Sequence, residues 1–323
     1  MSIYRNSIWF LKGLREYTKG GYVKAAKNFD PTDIEVDASK RNFMVTGANS
    51  GIGRSTALEL AKRGGTVHLV CRSAERGKEA QEAIIKETKN DKVHLHLVDM
   101  SQPKEILKFT TQFVESGAPL DTLVNNAGTM VNQRETTDDK LEKNFATNTL
   151  GTYILSTELI PALEKSKCRP RIVTVSSGGM LVMKLDSNDL QFEQVRNFDG
   201  TFAYAQNKRQ QVVMVRRWAL QYPNISFSSM HPGWADTPAV QNSMPDFHRR
   251  MQDKLRTPEQ GADTIVWLCL SEKALKCPNG SFFQDRVVVS EHLPLAHTRS
   301  SDADELQLIS RLEEMTKTFK NQL

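Results

Sequence analysis

The chain is expected to fold as an α/β protein, a doubly wound parallel sheet with helices on both faces. Two observations predict this. From residue 41 onward, short β-branched runs alternate with longer charged stretches of helical period, and no Pro/Ser-rich linker interrupts residues 41–290. Strand alternating with helix over many units gives a parallel sheet. Its strands are buried on two sides and therefore read as apolar runs. By length alone, 323 residues suit about two domains. The unbroken rhythm argues instead for a single domain over 41–290, with a helical extension over 1–40 and a tail and helix over 291–323.

The six runs, in order, are "RNFMVTG", "TVHLVCR", "VHLHLVD", "DTLVNNA", "RIVTVSS" and "ISFSSMHPG". Between the first two, "GRSTALELAKRGG" places Ala57, Leu60, Ala61 and Gly64 at i, i+3, i+4 and i+7, one face of a helix. Between the fourth and fifth, "DKLEKNFATNTLGTYILSTELI" is of the same kind. Two stretches fall outside the rhythm: residues 178–203, before "YAQNK", and residues 234–257, after "HPG". Both follow strand ends, where loops line the ligand crevice of such sheets. The last residues put Leu306, Ile309, Leu312, Met315 and Phe319 on one expected stripe, a capping helix for the domain or a partner.

Composition narrows the function. Of the formal charge of +5, residues 1–29 supply as much by themselves, with six Lys and Arg against Glu16. The remainder is near neutral, which argues against a nucleic-acid surface. Cys71, Cys168, Cys269 and Cys277 have no metal-type spacing and read as free thiols of a reducing, intracellular compartment. His94 and His96 share a strand face without a carboxylate or Cys at ligand spacing, so no metal is expected. No apolar run has the length, about 20 residues, that crosses a bilayer. "SIYRNSIWFLKGLREY" sets Tyr4, Ile8, Leu11 and Leu14 at helical spacing, with Trp9 and Phe10 beside them. Two readings stand: a helix lying on a membrane surface, or one packed on its own domain.

"MVTGANSGIGR" closes the first strand and opens the first helix. Gly47, Gly51 and Gly53 allow a tight turn and close backbone approach. The helix start then offers free amides to a pyrophosphate. Asn49, Ser50 and Ile52 complete the loop. No GK[ST] follows, which excludes a nucleotide-triphosphate loop. Where a dinucleotide site without a 2′-phosphate carries an acid at the end of the second strand, this chain has Cys71 and then Arg72. A cation there favours NADP(H), with NAD(H) the second choice. Arg54 reads equally as a phosphate contact or a solvated helix residue.

"TGANSGIG", "NNAG" at 125–128, Asn148, "VSS" at 175–177, "YAQNK" at 204–208 and "HPGWADT" at 231–237 occur in an order and spacing that resembles the short-chain dehydrogenase/reductase family. The likeness covers about residues 41–290. Within the family it is similar to poorly characterised relatives of the retinol-dehydrogenase-like enzymes. The resemblance implies a Rossmann-type fold and hydride exchange between a nicotinamide and an alcohol or carbonyl; the reducing direction is expected because intracellular NADP pools are usually reduced. It also assigns roles. Tyr204 is the acid/base, Lys208 its partner, Ser177 the carbonyl-orienting hydroxyl and Asn148 the holder of a relay water. Asp99 is the adenine-side acid, Asn126 supports the strand, and Thr237 contacts the carboxamide. A free phenol titrates near about 10 and needs a cation to serve as base. Lys208, one turn on, is expected to supply it.

Residues 178–203 are longer than in compact members of that family. Met180, Leu181, Met183 and Phe192 are expected to wall a site for a sizeable apolar substrate, of retinoid, steroid or lipid-aldehyde class. The alternative is a cofactor-binding sensor with little turnover, which has no need of Asn148, Ser177, Tyr204 and Lys208 together. Self-association and peripheral membrane contact through residues 1–29 are left open.

Overall fold

The computed structural model describes residues 3–323. Its centre is one eight-stranded sheet in the order β3-β2-β1-β4-β5-β6-β7-β8. Before it come α1 (Ile3–Glu16) and α2 (Lys19–Ala26). The first half of the sheet follows as β1 (Asn42–Thr46), α3 (Gly51–Lys62), β2 (Thr66–Cys71), α4 (Ala74–Thr88), β3 (Val93–Leu97), α5 (Pro103–Glu115) and β4 (Thr122–Asn125). A helical run with α6 (Lys143–Phe145), α7 (Gly151–Glu158) and α8 (Ile160–Leu163) leads to β5 (Arg171–Val175). The long α9 (Gly200–Gln221) leads to β6 (Ser226–Met230), then α10 (Pro238–Ser243), α11 (Pro245–Met251), α12 (Pro258–Leu270) and α13 (Glu272–Leu275). The chain ends in β7 (Phe282–Gln284), β8 (Val287–Val288) and α14 (Asp302–Lys320).

Strands β1 to β7 pair in parallel, and β8 turns back antiparallel on β7. Every residue of β4 and β5 is buried, as two-sided covering requires. One face packs α5, α7, α9 and α14 through Ile106, Ile154, Val213, Trp218 and Leu312. The other packs α3, α4 and α12 through Leu60, Ile84 and Ile265. The order reverses at β1, which lies between β2 and β4. At that switch point the neighbouring connections leave toward opposite faces and open a crevice at the strand ends.

The structure redraws three sequence readings. In α14, Leu312 and Phe319 are buried and Ile309 and Met315 pack against the core as expected, but Leu306 stands 53% exposed and Glu305, Leu308 and Thr316 complete the buried face. Repeated steps of three drift off a helix of 3.6 residues per turn, and the buried face mixes steps of three and four. In α3, Ala57, Leu60 and Ala61 are buried as expected, but Gly64 lies beyond the helix at φ +81, where it ends the element. In α1 the expected stripe splits. Ile8 and Trp9 pack on the protein, whereas Tyr4, Leu11 and Leu14 face outward. Gly13 fixes that rotation: a Cβ there would sit 2.3 Å from the Trp234 ring.

His68 on β2 lies opposite His94 on β3. Its Nδ1 is 2.9 Å from His96 Nε2, with Phe113 edge-on. Burial holds both His68 and His96 below the ordinary imidazole range, His68 at about 3. The unfolded chain therefore takes up protons near pH 6.5 that the fold refuses, so stability is lost as pH falls below about 6.5. His68 alone is expected to cost about 1.4 kcal/mol at one pH unit below that value. Urea unfolding at pH 5.5 and 7.5 checks this, and His68→Phe should narrow the difference between the two.

Candidate active site

The connection from β1 to α3 forms one end of a cleft of about 1150 Å³ that lies over the switch point. Gly47 has φ +65 and Gly51 φ +51, values that a side chain disfavours. At Gly53 a Cβ would fall 2.4 Å from both Gly47 O and Asn126 Nδ2, so only glycine lets α3 approach this close. Ser50 precedes α3 without capping it, which leaves the first amides of the helix open to the cleft. Asn49, Ser50 and Ile52 line the same wall. Asn126 braces the turn, its Nδ2 donating to Thr46 O at 2.9 Å while Thr46 Oγ1 accepts from Asn126 N and Ala127 N at 3.0 and 2.9 Å. Open amides, left-handed glycines and a cleft of this length fit the diphosphate of a dinucleotide.

Arg72 and Asp99 meet at the far end, Nη1 to Oδ2 at 3.7 Å. Ser101 donates to the Asp99 carboxylate from N and Oγ, both at 2.8 Å, fixing its direction. Arg72 keeps most of its side chain in solvent. Arg76, at the start of α4, lines the cleft beside it, as does Ser73, whose hydroxyl caps that helix. Sequence reasoning stopped at Arg72, although a second arginine four residues on, at a helix start, was the available signal. Arg54 is exposed and lies outside the cleft lining, which leaves it the solvated reading.

Ser177, Tyr204 and Lys208 come together on the opposite wall. Asp199 caps α9 by accepting from Thr201 N and Phe202 N at 2.8 and 3.1 Å, so the first turns of α9 carry Tyr204 into the cleft. Ser177 lies just beyond β5, accepts from Gly179 N at 3.2 Å and stands near enough to the Tyr204 phenol to favour its ionised form. Ser176 points away and donates to Lys208 O at 2.9 Å, tying β5 to α9. The Lys208 ammonium is buried and donates to Val175 O at 2.8 Å and Gln211 Oε1 at 3.1 Å. It lies 5.4 Å from the centre of the Tyr204 ring.

Here the electrostatics differ from the expectation. Burial pushes the phenol up to about 12, a rise that the Ser177 hydroxyl only partly offsets. Burial likewise brings Lys208 down to about 7. The ammonium is engaged below the ring and does not touch the hydroxyl, so desolvation outweighs its attraction. At neutral pH the phenol holds its proton and is a donor.

Asn148 lies in the π-type turn Ala146–Leu150, fully buried. Its Nδ2 donates to Thr129 O and its Oδ1 accepts from Thr129 N, each at 2.8 Å. Its backbone carbonyl accepts from Gln211 Nε2 at 2.7 Å. Gln211 thus links Asn148 O to the Lys208 ammonium. Nothing in the sequence marked Gln211 apart from its i+3 spacing from Lys208.

Thr237 caps α10, accepting from Val240 N at 3.3 Å, and its methyl faces Gly51. His231 is buried and accepts from Gly178 N on Nδ1 at 2.9 Å; burial keeps it neutral. The expected substrate wall is corrected. Met180, Leu181, Met183 and Phe192 are at most 4% exposed, and none lines the cleft. The buried Arg209 guanidinium donates to Met180 O and Met183 O at 2.8 and 3.0 Å and folds that segment inward. The apolar surface comes instead from Trp9, Phe198, Trp234, Met244 and Phe247.

Three comparisons place the chain among known proteins. The short chain dehydrogenase family profile matches residues 41–186. Human "Dehydrogenase/reductase SDR family member 12" is 60% identical over 320 residues, covering 99% of this chain and 100% of that protein. Mouse "Retinol dehydrogenase 12" is 33% identical over 246 residues, 75% of this chain and 77% of that protein. A short chain dehydrogenase of Shigella flexneri 2a strain 301, solved with NADP, shares the fold at TM-score 0.60 and 22% identity, covering 76% of this chain and 97% of its own.

Proposed function

The chain belongs to the short-chain dehydrogenase/reductase family, and from that premise we propose that it is an oxidoreductase that reduces an apolar carbonyl with NADPH. One observation carries the reading. Ser177 and Tyr204 line the same cleft as the open start of α3.

Gly47, Asn49, Ser50, Gly51, Ile52 and Gly53 would hold the diphosphate, with Asn126 supporting the strand and turn behind them, Asp99 the adenosine side, and Thr237 the carboxamide. Arg72, with Arg76 beside it, would meet a 2′-phosphate as a fork of donors. When bound, the nicotinamide supplies the hydride that the carbonyl carbon receives. Ser177 orients the carbonyl oxygen by a hydrogen bond. Tyr204 gives that oxygen its proton, and the product leaves as an alcohol. A protonated phenol suits this direction, and a placed acid contributes about 10²–10⁴ in rate. Lys208 and Gln211 fix the ring and the floor beneath it. Trp9, Phe198, Trp234, Met244 and Phe247 exclude water and select an apolar substrate.

The test is NADPH consumption across retinoid, steroid and fatty-aldehyde panels beside small polar carbonyls. Turnover of the apolar set is expected, and Arg72→Asp should weaken NADPH about tenfold or more while sparing NADH. Turnover of small polar carbonyls alone would remove the apolar class. Nucleotide binding without turnover on any panel would leave the sensor reading.

A further inference from the structure

We infer that α1 is a lipid-docking helix: its outer face seats the protein on an anionic membrane surface, with the mouth of the cleft against the lipid. The outer face is the first observation. Ile3 is 85% exposed, Leu11 63%, Tyr4 and Phe10 43% each, and Leu14 37%. With Ser7 these positions fall on one side of a 3.6-residue helix. Opposite them Gly13 is pressed against Trp234, so the rotation of the helix is fixed by packing. A contiguous row of large apolar side chains in water marks a docking surface.

Leu295 extends the row from another part of the chain. It follows Pro294, whose carbonyl accepts from Tyr4 Oη at 3.3 Å, and it is 77% exposed. Its φ of +54 lies in the left-handed region that a leucine rarely takes. Folding gains nothing from straining a leucine into solvent, whereas an apolar surface outside the protein would receive it.

Charge decides what covers this face. Arg15 borders the row, and Lys19, Lys24 and Lys27 follow it, all exposed. A second copy would bring these cations against their own kind. An anionic headgroup layer answers them, while the apolar row enters the acyl boundary. No helix of the described residues is long and apolar enough to cross a membrane, so the contact is one that lies on the surface. Phe10 belongs to both surfaces, since it lines the cleft and stands on the outer row. An apolar substrate therefore passes from lipid to cleft along Trp9 and Phe10. That last step rests on the redox reading above; the docking itself does not.

Co-sedimentation of the full chain with phosphatidylserine/phosphatidylcholine vesicles, and with phosphatidylcholine alone, tests it. Binding to the anionic vesicles is expected, weakened by salt and lowered at least about tenfold by Ile3→Asn with Leu11→Asn. The double variant should turn over a water-soluble carbonyl as the parent does but show a raised KM for an aldehyde dissolved in the vesicles. A parent chain that stays in the supernatant, or a variant that binds as the parent does, overturns the proposal. So does a lipid-free dimer that the double variant abolishes, since it gives the face to a second copy. Vesicle binding without any carbonyl turnover would retain the docking and refute the redox reading alone.

Discussion

Tyr204→Phe is expected to lower kcat/KM for carbonyl reduction by about 10³, within the range that a placed acid contributes. The change removes one oxygen and keeps the ring over the Lys208 ammonium, 5.4 Å from its centre. Nucleotide affinity should therefore stay within about threefold, and the loss should fall on kcat. The oxygen removed is the proposed proton donor, and burial pushes its pKa up to about 12. Ser177 alone would then face the carbonyl oxygen, without the second donor of the proposed pair. Steady-state rates with equilibrium nucleotide titration separate the two effects. A variant that keeps more than a tenth of the parent rate would assign the proton to another group.

Arg256→Met is expected to destabilise the fold by about 3–5 kcal/mol, the cost of leaving a buried carboxylate unpaired. Arg256 is 1% exposed, and its guanidinium holds Asp285 Oδ1 and Oδ2 at 2.6 and 2.9 Å. The same group donates to Glu16 O at 2.6 Å and to Thr18 O and Pro232 O at 3.3 Å. One side chain thus ties the end of α1 and the turn after β6 to the β7–β8 hairpin. Asp285 and Arg286 form that hairpin's two-residue turn at φ +51 and +61, angles that usually call for Gly or Asn. Arg256 and the Arg286–Asp263 pair, at 2.7 Å, compensate for the poor turn chemistry. Adding Asp285→Asn to Arg256→Met removes the stranded charge and should recover part of the loss. Denaturant unfolding of the single and double variants decides the matter; equal stability of the two would contradict the account.

The alternating rhythm from residue 41 made the parallel sheet legible, because buried strands and amphipathic helices have different periods. The two outer strands were not legible. β7 and β8 have three and two residues, too few to show a pattern, and their turn carries Asp-Arg where a hairpin signal was needed. The glycine turn was readable from its local spacing, whereas Ser177, Tyr204 and Lys208 were named through the resemblance to a known family, which the i, i+4 spacing of Tyr204 and Lys208 accompanies. Other parts of the site depend on tertiary contacts. Gln211 reaches Asn148 only because α9 crosses the π-type turn, and Arg209 pulls the Met-rich segment away from the cleft by bonding its carbonyls. The α1 stripe split because Trp234 selects Gly13 and Trp9, a choice made by packing rather than by periodicity.

The central claim is that Tyr204 delivers a proton at the carbon–oxygen group that receives a hydride from NADPH. Deuterium transfer from NADPH labelled at the nicotinamide C4, followed by mass analysis of the alcohol, tests it most directly. The parent should place one deuterium on the carbinol carbon, and Tyr204→Phe should form labelled alcohol at about a thousandth of that rate. Unlabelled alcohol from the parent, or equal label from both proteins at equal rates, would contradict the account.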